Sequence, residues 1–357
     1  MDAEPLFRLS HFVAALLARP AFRMVSFLTV GTIQNNSNTS PPVAVIMAAG
    51  KSTRMKSALP KALHRICGKE VTRHVVDSCV EAGIARVIVI VGYEAEQVRQ
   101  GLGGDIEYVT QEVQLGTGHA VMMAAPLLTD PDAAVVVLPG DAPLISRQTL
   151  EGLVERHRNS GAAATLLTAC VDDPGSYGRI VRLPPDGRVG RIVETKDATP
   201  EQKAINEIAS SMYVFQAGPL LECLKSLKSE NAQNEYYLTD VVEMLSSSDR
   251  LVDAVIVDDS CEVMGINTRV ELAAAASAMR TRINRELMLA GVTIVDPNTT
   301  YIDVDVKIGG DTIIHPCTII ERGSRIGSNC TVGPFVRLSG ATVGDNATVD
   351  QREGDAQ

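Results

Sequence analysis

Paired ligand and crosslinking side chains are what this sequence has least of. Its seven cysteines, Cys67, Cys79, Cys170, Cys223, Cys261, Cys317 and Cys330, are scattered and include no C-x-x-C pair. That argues against a zinc site and against a secreted disulfide framework; it reads as reduced thiols in a cytoplasmic chain. The six histidines form no H-x-x-x-H pair, which argues against a histidine metal centre. Positive charge is short too: 33 Lys and Arg stand against 43 Asp and Glu, a formal net charge of −10. A broad nucleic-acid surface does not fit that balance, although a local cationic pocket still does. No apolar run reaches the length of a membrane span. The run from Leu6 to Leu17 stops at Arg19 and Pro20, and it lacks the basic start and small-residue cleavage site of a signal peptide.

What is present is ordinary for a globular chain. The 357 residues are 45% hydrophobic and 21% charged, enough for two or three domains. Residues 1–42 stand apart, ending in the polar linker NNSNTSPP at 35–42, and read as a disordered extension or a misassigned start, with Met24 as an alternative start.

The chain is organised around the stretch that follows. Val43 to Met47 is a short apolar run, read as a buried parallel strand. It ends in Ala48, Ala49 and Gly50, small residues that let a ligand approach the backbone. Lys51, Arg54, Lys56 and Lys61 follow within eleven positions of Gly50. A strand running into a small-residue loop rich in cations suits phosphate binding. Gly50-Lys51-Ser52 resembles the end of a Walker loop, but that motif needs a glycine at the position of Val45. The bland alternative, a turn with solvated lysines, leaves cations continuing past Pro60 unexplained.

From residue 43 strands and helices alternate. Helical spacing covers Val71 to Ala82, Glu94 to Gly101 and Gly118 to Leu127; apolar strands are expected at Val87 to Val91, Ile106 to Thr110 and Ala133 to Leu138. This rhythm predicts an α/β, Rossmann-like domain over 43–270 with a mostly parallel sheet. Ligands in such folds bind beyond the carboxyl ends of strands, where Ala48 to Gly50, Gln111 and Asp141 all fall. Strands and turns fill 161–215. Helices are expected at Pro219 to Lys228 and Thr239 to Leu245, and a strand at Ala254 to Val257. A long helix from Val270 to Leu289, placed as a linker at 271–291, leads out of the domain.

After Gly291 the period changes. Ile302, Ile308, Ile314, Ile320, Ile326, Val332 and Leu338 recur every six residues, and Val343 and Val349 continue after a one-residue slip. That beat predicts a short left-handed parallel β-helix over 292–350, each apolar side chain pointing into the prism. The polar tail 351–357 reads as an abrupt, truncated end, because a solenoid needs a cap or partner over its last coil.

The words AAGKSTRM (48–55) and LPKAL (59–63) resemble the sugar-nucleotidyltransferase signature. QLGTGHA (114–120), PGDAPL (139–144), YGRI (177–180), IVETKDAT (192–199), NEYYLTD (234–240) and GINTR (265–269) follow in order. Together they resemble the bacterial N-acetylglucosamine-1-phosphate uridyltransferases, the first half of a bifunctional family that also acetylates glucosamine-1-phosphate. The resemblance implies uridylyl transfer from UTP to N-acetylglucosamine-1-phosphate, a step towards cell-wall precursors, with Mg2+ as cofactor. Two related readings stay open: a nucleotidyltransferase of other sugar or nucleotide specificity, and a non-catalytic β-helix protein with a degenerate transferase domain.

The resemblance also assigns residues. Arg54 and Lys61 are expected at the triphosphate and transition state; a planar guanidinium and a point-charge ammonium suit that role. Ala48, Ala49, Gly50, Lys61, Gln111, Gly116 and Thr117 would hold the nucleotide, Gln111 pairing with the base edge as donor and acceptor. Gly178 and Glu194 would face the sugar. Asp141, which alone could equally cap the following turn, would ligate the metal with Asn267. Two departures stand out: Ala209 replaces the family's sugar-contacting Asn, and Ser52 and Ser211 replace glycines. GPFVRL (333–338) matches the start of the acetyltransferase site, with Arg337 on its phosphate-contacting arginine; its other catalytic positions would lie past Gln357, so no acetyltransferase activity is expected. The family pattern also implies a homotrimer through the β-helix, which the sequence itself does not set.

Overall fold

The computed structural model describes residues 40–350. The expected extension over most of 1–42 and the polar tail 351–357 lie outside the described residues. The first domain opens with β1 (Val43–Ala48), the hairpin β2 (Arg65–Ile66) and β3 (Lys69–Glu70), then α1 (Val71–Glu81), β4 (Arg86–Val91), α2 (Ala95–Leu102) and β5 (Glu107–Thr110). It continues with α3 (Thr117–Ala124), β6 (Ala134–Pro139), α4 (Arg147–Ser160), β7 (Ala164–Cys170), β8 (Arg179–Leu183) and β9 (Arg188–Val193). The last elements are α5 (Pro200–Lys203), β10 (Glu207–Gln216), α6 (Ala217–Ser226), α7 (Thr239–Ser247), β11 (Val252–Ile256) and the long α8 (Arg269–Leu289).

The sheet runs β11-β7-β10-β6-β1-β4-β5, with β8 and β9 attached to β10. β1 lies at its centre, parallel to both neighbours: Val45 pairs with Ile88 on one side and Val137 on the other. β10 is the exception to the mostly parallel order, running antiparallel to β6 and β7. The unbroken apolar run of β1 follows from burial on both faces. Val43 and Val45 join one core with Val121 and Ala124 of α3. Ala44 and Ile46 join the other with Val75 and Val76 of α1 and Leu150 and Leu153 of α4. At roughly 25 cal/mol per Å2 each such valine, isoleucine or leucine contributes about 1.5–3 kcal/mol.

Helix α4 goes beyond the sequence reading, which placed nothing at 147–160. Its signals are local: the Ser146 hydroxyl accepts from Thr149 N (3.1 Å) and Gly161 ends it with φ 62°. The expected helix to Leu127 also ends early, at Ala124, and tightens into a 3-10 turn over Ala125–Leu127, where Pro126 supplies no N–H.

The six-residue beat becomes a β-helix. Two-residue strands β12 (Thr293–Ile294), β13 (Tyr301–Ile302), β14 (Lys307–Ile308), β15 (Ile313–Ile314) and β16 (Ile319–Ile320) lead into β17 (Arg325–Ile326), β18 (Thr331–Val332), β19 (Arg337–Leu338), β20 (Thr342–Val343) and β21 (Thr348–Val349). They stack in three parallel sheets: β12-β15-β18-β21, β13-β16-β19 and β14-β17-β20. Ile302, Ile314, Ile320, Ile326 and Val332 are buried inside the prism. Contacts from α8 and from the β2–β3 turn tie it to the α/β domain. Asn284 of α8 donates to Pro297 O and Thr300 O (3.0 and 3.1 Å). The β2–β3 turn lies on the first two coils, with Val304 N donating to Cys67 O (3.1 Å) and Arg322 to Gly68 O (3.2 Å).

Candidate active site

A cleft of about 510 Å3 opens beyond the carboxyl ends of β1, β5 and β6. Ala48, Ala49, Gly50, Arg54 and Lys61 line one side; Gln111, Gly116 and Thr117 line another; Asp141 and Asn267 close it. Ten sequence-predicted positions, from four separate chain segments, therefore meet in one place. The loops are stitched together by backbone bonds: Gly140 N to Met47 O (2.9 Å) and Ile266 N to Asp141 O (2.9 Å).

The centre of the site is a cation–oxygen cluster. The Lys61 ammonium donates to Asp141 Oδ2 and to Asn267 Oδ1, the latter at 3.2 Å. Arg54 Nη2 donates to the same amide oxygen at 2.9 Å. Lys61 thus meets both oxygens that the resemblance offers to a metal, and Arg54 meets the amide oxygen. Among the described residues no group of three or more His, Cys, Asp or Glu side chains could hold a metal ion. One carboxylate and one amide oxygen, converging where an ammonium already sits, suit a hard divalent ion that draws its other ligands from water and phosphate. They do not suit zinc.

Asn267 is held by the start of α8. Glu271 Oε2 accepts from Asn267 N (2.6 Å) and Thr268 N (2.8 Å), while Thr268 Oγ1 accepts from Glu271 N (3.2 Å). This capping box was legible as T-x-x-E, yet the sequence reading did not use it. Other cleft residues were given no role in that reading, among them Tyr177, whose hydroxyl accepts from Gly265 N (3.2 Å), and Ser210. Tyr177 is buried enough to raise its pKa above the usual phenol value.

The remaining predicted residues lie outside the cleft lining. Gly178 and Glu194 are neighbours beside it: a Cβ on Gly178 would sit 3.6 Å from Glu194 Oε2. Burial raises the pKa of Glu194, opposed by a hydroxyl bond from Thr239 (3.3 Å) and reinforced by Asp197, Asp240 and Glu235. Arg337 sits on the outside of the β-helix, paired with Glu321 at 2.6 Å. Lys51 and Lys56 are exposed, and Lys51 lies 5.5 Å over the Tyr93 ring. The glycine departures have a clear geometry. Ser52 has φ 52° and Ser211 φ 62°, the left-handed region. Ser211 falls within the register shift of β10 between Ala209 and Met212, where a bulge favours glycine.

A mostly parallel sheet with a phosphate-suited loop at its edge, joined to a hexapeptide β-helix, defines a nucleotidyltransferase-type chain with an appended solenoid. Residues 44–189 match the MobA-like NTP transferase domain and residues 305–340 match the bacterial transferase hexapeptide (six repeats). The bifunctional protein GlmU of Exiguobacterium sibiricum is 46% identical over 308 residues, covering 86% of this chain and 68% of that one. Those of Geobacillus sp. (strain WCH70) and Geobacillus thermodenitrificans are 47% identical over 306 residues, 86% of this chain and 66% of theirs. The chain belongs to the GlmU family. It spans just under two thirds of the length of the two Geobacillus relatives, at 66%.

Proposed function

We propose that the cleft catalyses uridylyl transfer from UTP to N-acetylglucosamine-1-phosphate. A phosphate oxygen of the sugar phosphate bonds to the α-phosphorus of UTP, the bond from that phosphorus to the α–β bridging oxygen breaks, and pyrophosphate leaves. The attacking oxygen is already ionised, so no general base is needed, and catalysis is positioning and charge compensation. Arg54 and Lys61 supply two fixed positive charges, and Gly50 and Ala49 offer backbone to the phosphates. A magnesium ion held by Asp141 and Asn267 would supply further charge compensation to the phosphate oxygens. The observation that carries the reading is the convergence of Arg54 and Lys61 on Asn267, with Lys61 also bonded to Asp141. Reduced thiols support a cytoplasmic setting, since all seven cysteines are unpaired. A homotrimer through the β-helix remains part of the proposal by kinship with the family.

One observation favours a second reading of the sugar. Ala209, where the family pattern has an amide, is buried in β10 at 5% exposure, and Ser210 and Ser211 line the cleft instead. A changed sugar preference would follow from losing that amide. Pyrophosphate release, measured for UTP, TTP, CTP and GTP with several sugar-1-phosphates, tests both. Turnover with UTP and N-acetylglucosamine-1-phosphate is expected; turnover confined to another sugar selects the second reading, and none with any pair removes both.

A further inference from the structure

We propose that His119 is a positioning residue which takes up the second N–H of the Gln111 amide, leaves only its oxygen for a base, and thereby sets the base preference of the cleft. The inference rests on the nucleotide reading above and deepens it. Gln111 follows β5, with its backbone N bonded to Val91 O (2.8 Å), and its side chain is almost wholly enclosed, at 3% residue exposure. The amide nitrogen lies 3.2 Å from Gly116 O and 2.9 Å from His119 Nδ1. A peptide carbonyl carries no proton. Turning the amide would set two oxygens against each other, so the nitrogen is the end that faces Gly116. Its two protons are then committed to Gly116 O and to His119 Nδ1, which must be unprotonated. The imidazole is thereby fixed with its proton on Nε2.

Gly116 O is not free to turn away. Its loop is pinned from the far side by Gly118 N to Tyr236 O (2.7 Å), Tyr236 N to Leu115 O (2.8 Å) and Leu238 N to Thr117 Oγ1 (3.0 Å). A Cβ on Gly116 would come within 2.6 Å of Tyr236 O. His119 stands in the first turn of α3, its ring 6.2 Å from that of Tyr236. With the nitrogen spoken for on both protons, Gln111 can offer a base only its oxygen. The sequence expectation of a donor-and-acceptor amide is thereby narrowed to an acceptor. An acceptor matches the ring N–H of uracil and opposes the bare ring nitrogen of cytosine, which is itself an acceptor.

The test is calorimetric binding and kcat/KM for UTP and CTP with the wild-type protein and His119→Ala. The wild type is expected to prefer UTP by about a hundredfold, and His119→Ala to narrow that ratio by about tenfold, since the second N–H of the amide is released and becomes available to an acceptor on the base. An equal fall for both nucleotides, with the ratio kept, makes His119 merely structural and overturns the proposal. Equal binding of UTP and CTP by the wild type overturns it as well. Binding of neither triphosphate overturns the nucleotide reading itself, and this inference with it. Nitrogen NMR of His119 in the unmutated protein serves if the variant fails to fold: the Nε2–H tautomer is expected, and an Nδ1–H tautomer refutes the arrangement.

Discussion

Lys61 and Asp141 come from loops 80 positions apart, and the ammonium of one donates to the carboxylate of the other inside the cleft. Both side chains are mostly enclosed, at 18% and 19% exposure. Two charges so placed need each other, since removing one leaves the other poorly solvated. A divalent cation held by Asp141 and Asn267 would compete with this ammonium for the same two oxygens. Lys61→Met is expected to lower turnover by about a hundredfold or more while strengthening magnesium binding in the absence of nucleotide. Asp141→Ala is expected to abolish magnesium-dependent turnover with an unchanged circular dichroism spectrum. Calorimetry and pyrophosphate release check both; unchanged magnesium affinity in the Lys61 variant contradicts the competition.

Gly50 separates folding from binding. A Cβ there would meet nothing within 4 Å, and its φ is not positive, so the protein itself does not require glycine at this place. Gly50→Ala should leave stability within about 0.5 kcal/mol while raising the KM for UTP about tenfold, because the added methyl enters the space offered to phosphate. A lowered melting temperature with normal KM would reverse that assignment.

Ser52 carries backbone strain that glycine would relieve. A left-handed L-residue costs roughly 1–2 kcal/mol, and glycine loses back about 0.5–1 kcal/mol in unfolded-state entropy. Ser52→Gly is therefore expected to be neutral or mildly stabilising in urea unfolding. Ser52→Val, β-branched at φ 52°, should destabilise by about 1–2 kcal/mol.

Asp240 gives a pH dependence. Burial, then Glu243 and Asp197, push its pKa from 3.8 up to about 6. An acid raised in the fold binds more protons there than in the unfolded chain, so stability falls as pH climbs from about 4 to about 6. Partial exposure of Asp240 screens the effect to about 1 kcal/mol. Asp240→Asn should stabilise by that amount at about pH 7 and not at about pH 4, measured by urea unfolding at both; equal effects at the two values would assign the change to packing.

Gly68 secures the two domains to each other. Its φ is +79°, and a Cβ would lie 2.4 Å from Asp303 Oδ2 on the first coil. Gly68→Ala should destabilise by about 1–3 kcal/mol. Equal stability of variant and wild type by differential scanning calorimetry would show that the hairpin is not held there.

The sequence by itself determined the elements whose physics is local. The unbroken apolar β1 declared burial on both faces, and the six-residue beat from Ile302 declared the prism, because side-chain periodicity is fixed by backbone geometry. It also placed Ala48, Gln111 and Asp141 at strand ends. Only the tertiary structure decided what those residues do to one another. The antiparallel entry of β10 beside β6 and the hold of Glu271 on Asn267 depend on packing partners distant in the chain or on which bonds actually form. So does the commitment of the two Gln111 amide protons to Gly116 O and His119, in a loop anchored by its bonds with Tyr236. A sequence names donors and acceptors; which of them meet is settled when non-local contacts fix distance and direction.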